Sequence, residues 1–186
     1  YIRISEKIPS MIFTCLSNSF KHILPFYIFF NNFYYDIIKI TKCQGGIDMK
    51  IEFFGAAKVV TGTNHLISTD KYKILLDCGL FQGSQQLEEL NASDFPYNPA
   101  EVDFVLLSHA HIDHCGRIPK LVKDGFKGKI ISTKATRELC EITLIDSGHI
   151  QEADAAWENN KRKRSGKPFV KPIYTAEDAA NSLRYF

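Results

Sequence analysis

Six consecutive residues, His109-Ala110-His111-Ile112-Asp113-His114, place three imidazoles and a carboxylate in one short segment. Imidazole and carboxylate are the ligand types of hydrolytic zinc, and four donors this close exceed what one structural site draws from a single segment. In extended backbone His109 and His111 point the same way. Asp113 and His114, where the chain turns, are placed to face a second position. One segment can therefore serve two ions about 4 Å apart, the spacing of two-metal hydrolases. The competing account is a chance cluster of histidines on a solvated loop. Against it stand the apolar run that precedes the cluster and the lack of Lys or Arg within it.

The segments on either side must hold these donors in place. Residues 102–108 are dominated by apolar and β-branched types and read as a strand buried on both faces. Beyond the cluster Gly116 breaks the chain, and Ile118 to Lys123 reads as a short helix ended by Asp124-Gly125. The donors thus fall on a strand-to-helix loop gripped at both ends. From Met49 onward the patterning predicts strands over 50–55, 64–69 and 72–77, then a short helix around 85–90. A strand at 102–108, a helix at 117–124 and a strand at 129–132 follow. A long helix runs from 133 to about 163, with Leu139, Ile142, Ile145 and Ile150 as its apolar stripe and Gly148 weakening it. Thr175-Ala176-Glu177-Asp178 reads as a capping box that opens another helix. Short strands followed by helices give an α/β fold class.

HAHIDH matches the His-x-His-x-Asp-His signature of the metallo-β-lactamase superfamily. Three longer stretches, FFGAAKVVTGTNHLI (53–67), ILLDCGLFQG (74–83) and VLLSHAHIDHCGRIPKLVKDGFKGKI (105–130), narrow the likeness. Together they resemble the RNA-processing β-CASP group, over about residues 49–186. The resemblance implies the first half of a four-layer αββα sandwich and a zinc-dependent metallo-hydrolase. Its substrate would be RNA phosphodiesters, and its complete centre would hold two Zn2+ ions. One ion would take His109 and His111, the other Asp113 and His114. Asp77, at the family's first motif, would orient the ligand loop, and Asp113 would orient the nucleophile or accept its proton. The family also has a third-motif histidine, a bridging Asp and distal acidic and histidine residues, none of which has a counterpart here. The expectation is an N-terminal part of the domain with weak metal binding and no useful turnover by itself. Two rival readings remain open. One is a hydrolase of the same superfamily acting on an ester, thioester or lactone, and the other is a non-catalytic binding or scaffold homologue.

Other candidates carry less. Without the resemblance, Asp77 reads equally well as a strand-end cap on the turn at Gly79. His65, entering a strand, reads as a structural histidine in preference to a ligand. His149, within Asp146-Ser147-Gly148-His149-Ile150-Gln151-Glu152 on the long helix, is not read as the third ligand. The basic run Lys161-Arg162-Lys163-Arg164-Ser165-Gly166-Lys167 is weak support for RNA, since cations are favoured at a helix C-terminus in any case. Residues 49–186 carry 18 basic and 18 acidic side chains, so charge names no partner. P-loop, GxGxxG and GxSxG patterns are missing, which removes support for nucleotide-binding and serine-hydrolase chemistry.

The 186 residues fit one domain of ordinary size, and 45% apolar content supports a packed core. Five scattered cysteines without a CxxC fit a reducing cytoplasm, with Cys115 read as a small buried hydrophobe. No apolar run reaches membrane-spanning length. Residues 1–48 differ from the rest, with Ile, Phe, Tyr, Lys and Asn making up 27 of them, the types that AT-rich codons specify. The reading favoured here is translated leader DNA upstream of a start at Met49. A signal or anchor segment is argued against by Pro25 and Asn31-Asn32, and an amphipathic helix by the lack of a 3.6 period. His22 falls in this segment and is given no role.

Overall fold

A computed structural model describes residues 26–32, 35–40 and 49–186. Among the described residues seven strands form one sheet in chain order: β1 (Phe26–Asn32), β2 (Tyr35–Ile40), β3 (Met49–Phe53), β4 (His65–Thr69), β5 (Lys73–Leu76), β6 (Phe104–Leu106) and β7 (Lys129–Ile131). β1 to β5 pair antiparallel, while β5, β6 and β7 pair parallel. Parallel neighbours need a crossover. Between β5 and β6 lies α1 (Gln85–Glu89), and between β6 and β7 lie α2 (Ile112–Cys115) and α3 (Ile118–Lys123). The long α4 (Lys134–Ser165) and α5 (Ala176–Ser182) complete the order. The α/β expectation holds. The leader reading of residues 1–48 falls largely outside the described residues, as do His22, Cys15 and Cys43. Within it, β2 continues the sheet by pairing with β3, Ile38 opposite Ile51.

The strands' alternation decides where the core sits. Leu66, Leu75, Val105 and Ile130 share one row across β4 to β7 and are all buried. They join Ile118 and Leu121 of α3, Cys140 and Leu144 of α4, and Ala179 of α5 in a single cluster. Full burial of each large aliphatic side chain contributes roughly 1.5–3 kcal/mol. The adjacent row, Phe53, His65, Leu76, Leu106 and Ile131, is covered much less, with Leu106 37% and Ile131 51% exposed. β6 is therefore buried on one face, not on both as its composition suggests.

Helix α4 departs from its expected stripe. Leu139, Ile142 and Ile150 are exposed, and the buried positions are Thr136, Cys140, Leu144 and Gly148. The inward face is lined by small and mixed side chains because α5 comes close: a Cβ on Gly148 would stand 2.6 Å from the backbone of Ala176. Gly148, which weakens the helix in isolation, is what lets the two helices meet. The capping box forms as expected, with Thr175 and Asp178 each accepting from the other's backbone N–H. Lys123 of α3 reaches Asp178 at 2.8 Å, tying the same helix start to α3.

Candidate metal centre

The site is assembled from two chain reversals at the C-terminal ends of parallel strands. One leaves β5 at Asp77 and the other leaves β6 at Ser108. Backbone hydrogen bonds fasten the two together: Cys78 N–H donates to His114 O (2.7 Å), Leu80 N–H to Ile112 O (3.0 Å) and Arg117 N–H to Cys78 O (2.8 Å). Thr63, before β4, adds a third strand of contact, donating its N–H to Asp113 O at 3.0 Å. Such close backbone approach leaves no room for a side chain at Gly79, where a Cβ would fall 1.6 Å from Asp113 O. This is the physical content of the Asp-Cys-Gly sequence.

Asp77 lies at the centre. It is buried, at 3% exposure, and has φ +58°, an uncommon conformation for a residue with a side chain. A buried carboxylate requires partners, and this one has three contacts. Oδ1 accepts from the Ser108 backbone N–H at 2.7 Å, and Oδ2 lies 2.7 Å from Ser108 Oγ and 2.8 Å from His114 Nδ1. Ser108 Oγ in turn lies 2.9 Å from His109 Nδ1. An ionised carboxylate only accepts, so His114 Nδ1–H and the Ser108 hydroxyl donate to Asp77, and His109 Nδ1–H donates to Ser108 Oγ. Both imidazoles are thereby assigned the tautomer whose Nε2 carries a free lone pair, the form that binds metal.

The outward edges of these rings gather. The His109 ring centroid lies 4.6 Å from that of His111 and 4.1 Å from that of His114. His114 Nε2 stands 3.5 Å from Asp113 Oδ2. Two electron-pair donors facing at this distance suit a cation between them. The donor set and its tautomers thus suit a divalent ion. The rings stand side by side, however, and among the described residues no three such side chains converge on one point.

The remaining candidates lie elsewhere. His149 is on α4, its side chain 68% exposed and 3.6 Å from Glu152. His65 packs edge-on against Phe53 at 4.6 Å, and its Nδ1 is buried without a hydrogen-bond partner. Burial lowers its pKa, against the opposing pull of the Asn64 backbone and Asp77. Cys78 is buried beside Arg117 and Asp77, and burial pushes its thiol up to about 12, so it stays protonated. Cys115 is buried as expected, its Sγ 3.5 Å from Ala110 O. Ser108 is a site residue that nothing in its own sequence context marks out beyond its place between the strand and the first histidine.

Comparison with known proteins follows the same residues. A family model described as the metallo-beta-lactamase superfamily matches residues 58–177. The chain is 50% identical over 99 residues to Ribonuclease TTHA0252 of Thermus thermophilus, covering 53% of this chain and 22% of the relative. It is 37% identical over 106 residues to Probable RNase MJ4 of Methanocaldococcus jannaschii, covering 57% and 24%. It is 33% identical over 99 residues to Cleavage and polyadenylation specificity factor 73 of Drosophila melanogaster, covering 53% and 14%. The chain therefore spans a quarter or less of the length of these relatives.

Proposed function

The chain belongs to the metallo-beta-lactamase superfamily, and from that premise we propose that residues 49–186 contribute the first ligands of a zinc-dependent centre that hydrolyses RNA phosphodiesters. The observation that carries this reading is the Asp77 carboxylate, which holds His114 directly and His109 through Ser108 by their Nδ1 atoms, with Nε2 of His114 turned to Asp113 Oδ2. His109 and His111 would hold one Zn2+, and Asp113 and His114 a second. Zinc so held supplies positive charge for phosphoryl oxygens and makes water acidic enough to lose a proton near neutral pH. The protein's own part is positional. Asp77 fixes two rings, the α2 backbone fixes Asp113 and His114, and Gly79 lets the two reversals touch. Asp113 is placed to accept a proton at Oδ2. RNA as substrate is supported by the names of the relatives, two of which are RNases. The buried, unpaired cysteines favour a cytoplasmic setting. No helix among the described residues is long and apolar enough to cross a membrane.

The test has two stages. Zinc competition titration of this chain should show weak binding that His111→Ala abolishes. RNA cleavage by the protein at the length of its relatives should require zinc and be lost in the same variant. Zinc binding unchanged by His111→Ala would sink the ligand assignment. Hydrolysis of a lactone or thioester with no cleavage of RNA would move the substrate elsewhere in the superfamily.

A further inference from the structure

The last two turns of α4 carry a surface that the metal centre does not use. Trp157 is 62% exposed, and Lys161, one turn on, holds its Nζ 3.1 Å from the ring centroid. Trp157, Asn160, Lys161, Lys163 and Arg164 line a shallow, open groove on the surface of α4. The other side of the same turns is committed to structure. Arg162 Nε donates to Glu158 at 2.8 Å and its Nη1 to Pro168 O at 3.2 Å, while Asn159 clamps both backbone groups of Val170. Among the described residues Lys161, Lys163 and Arg164 have no carboxylate partner. Residues 161–167 hold five basic side chains and no acidic one, while the rest of residues 49–186 carries 13 basic and 18 acidic side chains.

We propose that this groove is a binding site for single-stranded nucleic acid, with Trp157 stacking a base and Lys161, Lys163 and Arg164 holding the adjoining phosphates. A large exposed indole among unpaired cations is the pairing that sequence-tolerant single-strand binding uses: a π-face for the base and charge for the backbone. A helix C-terminus favours cations, which accounts for their presence there, but it gives no reason to expose the indole they surround. RNA as the particular nucleic acid rests on the reading of the metal centre. The groove itself does not depend on that centre.

Trp157 is the chain's single tryptophan, so its fluorescence reports this site alone. The experiment is a titration of the full chain with a single-stranded oligoadenylate in EDTA, followed by indole quenching, with anisotropy of a labelled oligonucleotide for the variants. The expected result is saturable quenching, with a salt dependence set by about three phosphate contacts, a log–log slope near −2. Trp157→Leu should weaken binding roughly tenfold, and Lys163→Ala/Arg164→Ala should reduce the slope by about 1.4. Both variants change exposed side chains, and circular dichroism checks that the fold is kept. Absence of quenching, or equal affinity in Trp157→Leu, overturns the proposal. So does equal quenching by heparin, which offers charge without bases, or a blue shift on anionic phosphatidylglycerol vesicles with none on the oligonucleotide. Because EDTA is present, failure here leaves the zinc reading intact, and loss of cleavage in His111→Ala leaves this one intact.

Discussion

The Oδ2 oxygen of Asp77 stands 2.8 Å from Nδ1 of His114, thirty-seven residues later in the chain. That one contact joins the end of β5 to the last residue of the HAHIDH segment. Because Asp77 also engages Ser108, and Ser108 engages His109, one buried carboxylate sets the orientation and proton position of two imidazoles.

Replacing Asp77 by Asn should expose this role. Asn tolerates the φ of +58° found here, so the backbone is kept. An amide –NH2 facing His114 Nδ1 cannot accept its proton, and the imidazole is driven to the opposite tautomer with Nε2 protonated. Zinc affinity should fall about 10–100-fold, read by competition with a chromogenic chelator. Unchanged affinity with an unchanged melting temperature would show that the carboxylate does not orient the ligands.

The Asp-Cys-Gly turn makes a harsher prediction. Gly79→Ala places a Cβ 1.6 Å from a backbone carbonyl that is itself held by Thr63. Neither strand end can give way without breaking the backbone bonds that form the site. The expected loss exceeds about 3 kcal/mol, measured by urea denaturation, and zinc binding should go with it. A loss under 1 kcal/mol would mean the two reversals are looser than described.

The chemistry of the site was the most legible part of the sequence, and its support the least. The ligand cluster stands out because imidazoles and a carboxylate gathered at the end of an apolar strand have few other uses, whereas Asp77 by itself reads equally well as a strand-end cap and is singled out only by the family resemblance. Ser108 does not stand out, because a serine after a strand is commonplace and its role depends on Asp77 being brought across from another strand. The left-handed backbone of Asp77 has no sequence mark, since only glycine signals that conformation. Strand and helix positions from Met49 onward followed from pattern, but burial did not. On α4 the apolar residues Leu139 and Ile142 face outward, while the packed face passes through Gly148. Close helix approach selects small residues, and hydrophobic periodicity cannot see them. Trp157 sits four residues before Lys161, one helical turn, and the basic run read alone gave no sign of an aromatic partner.

Gly148 offers a test of sign. In an open helix Gly→Ala stabilises by about 1 kcal/mol. Here the new methyl would meet Ala176 Cα and N at 2.6 Å, at the start of α5. Overpacking costs about 1–3 kcal/mol and outweighs the propensity gain, so the melting temperature should drop. A rise would show that α5 does not rest on this face of α4.

His65 should leave a mark on the acid side of the stability profile. Burial beside Phe53 lowers its pKa below the ordinary 6.5, outweighing the opposing pull of the Asn64 backbone and Asp77. The unfolded chain therefore binds a proton at this residue in a range where the folded chain does not. Stability from keeping His65 neutral is fully present above about pH 6.5 and is lost progressively as pH falls towards the lowered folded value. His65→Leu keeps an apolar group against Phe53 and removes the titration. Urea unfolding in EDTA between pH 8 and pH 5 should show the wild type losing more stability than His65→Leu below pH 6.5, with parallel curves above it. Parallel curves throughout would mean that the imidazole charges in the fold as readily as in water, and that its ring is solvated in a way the packing against Phe53 does not allow.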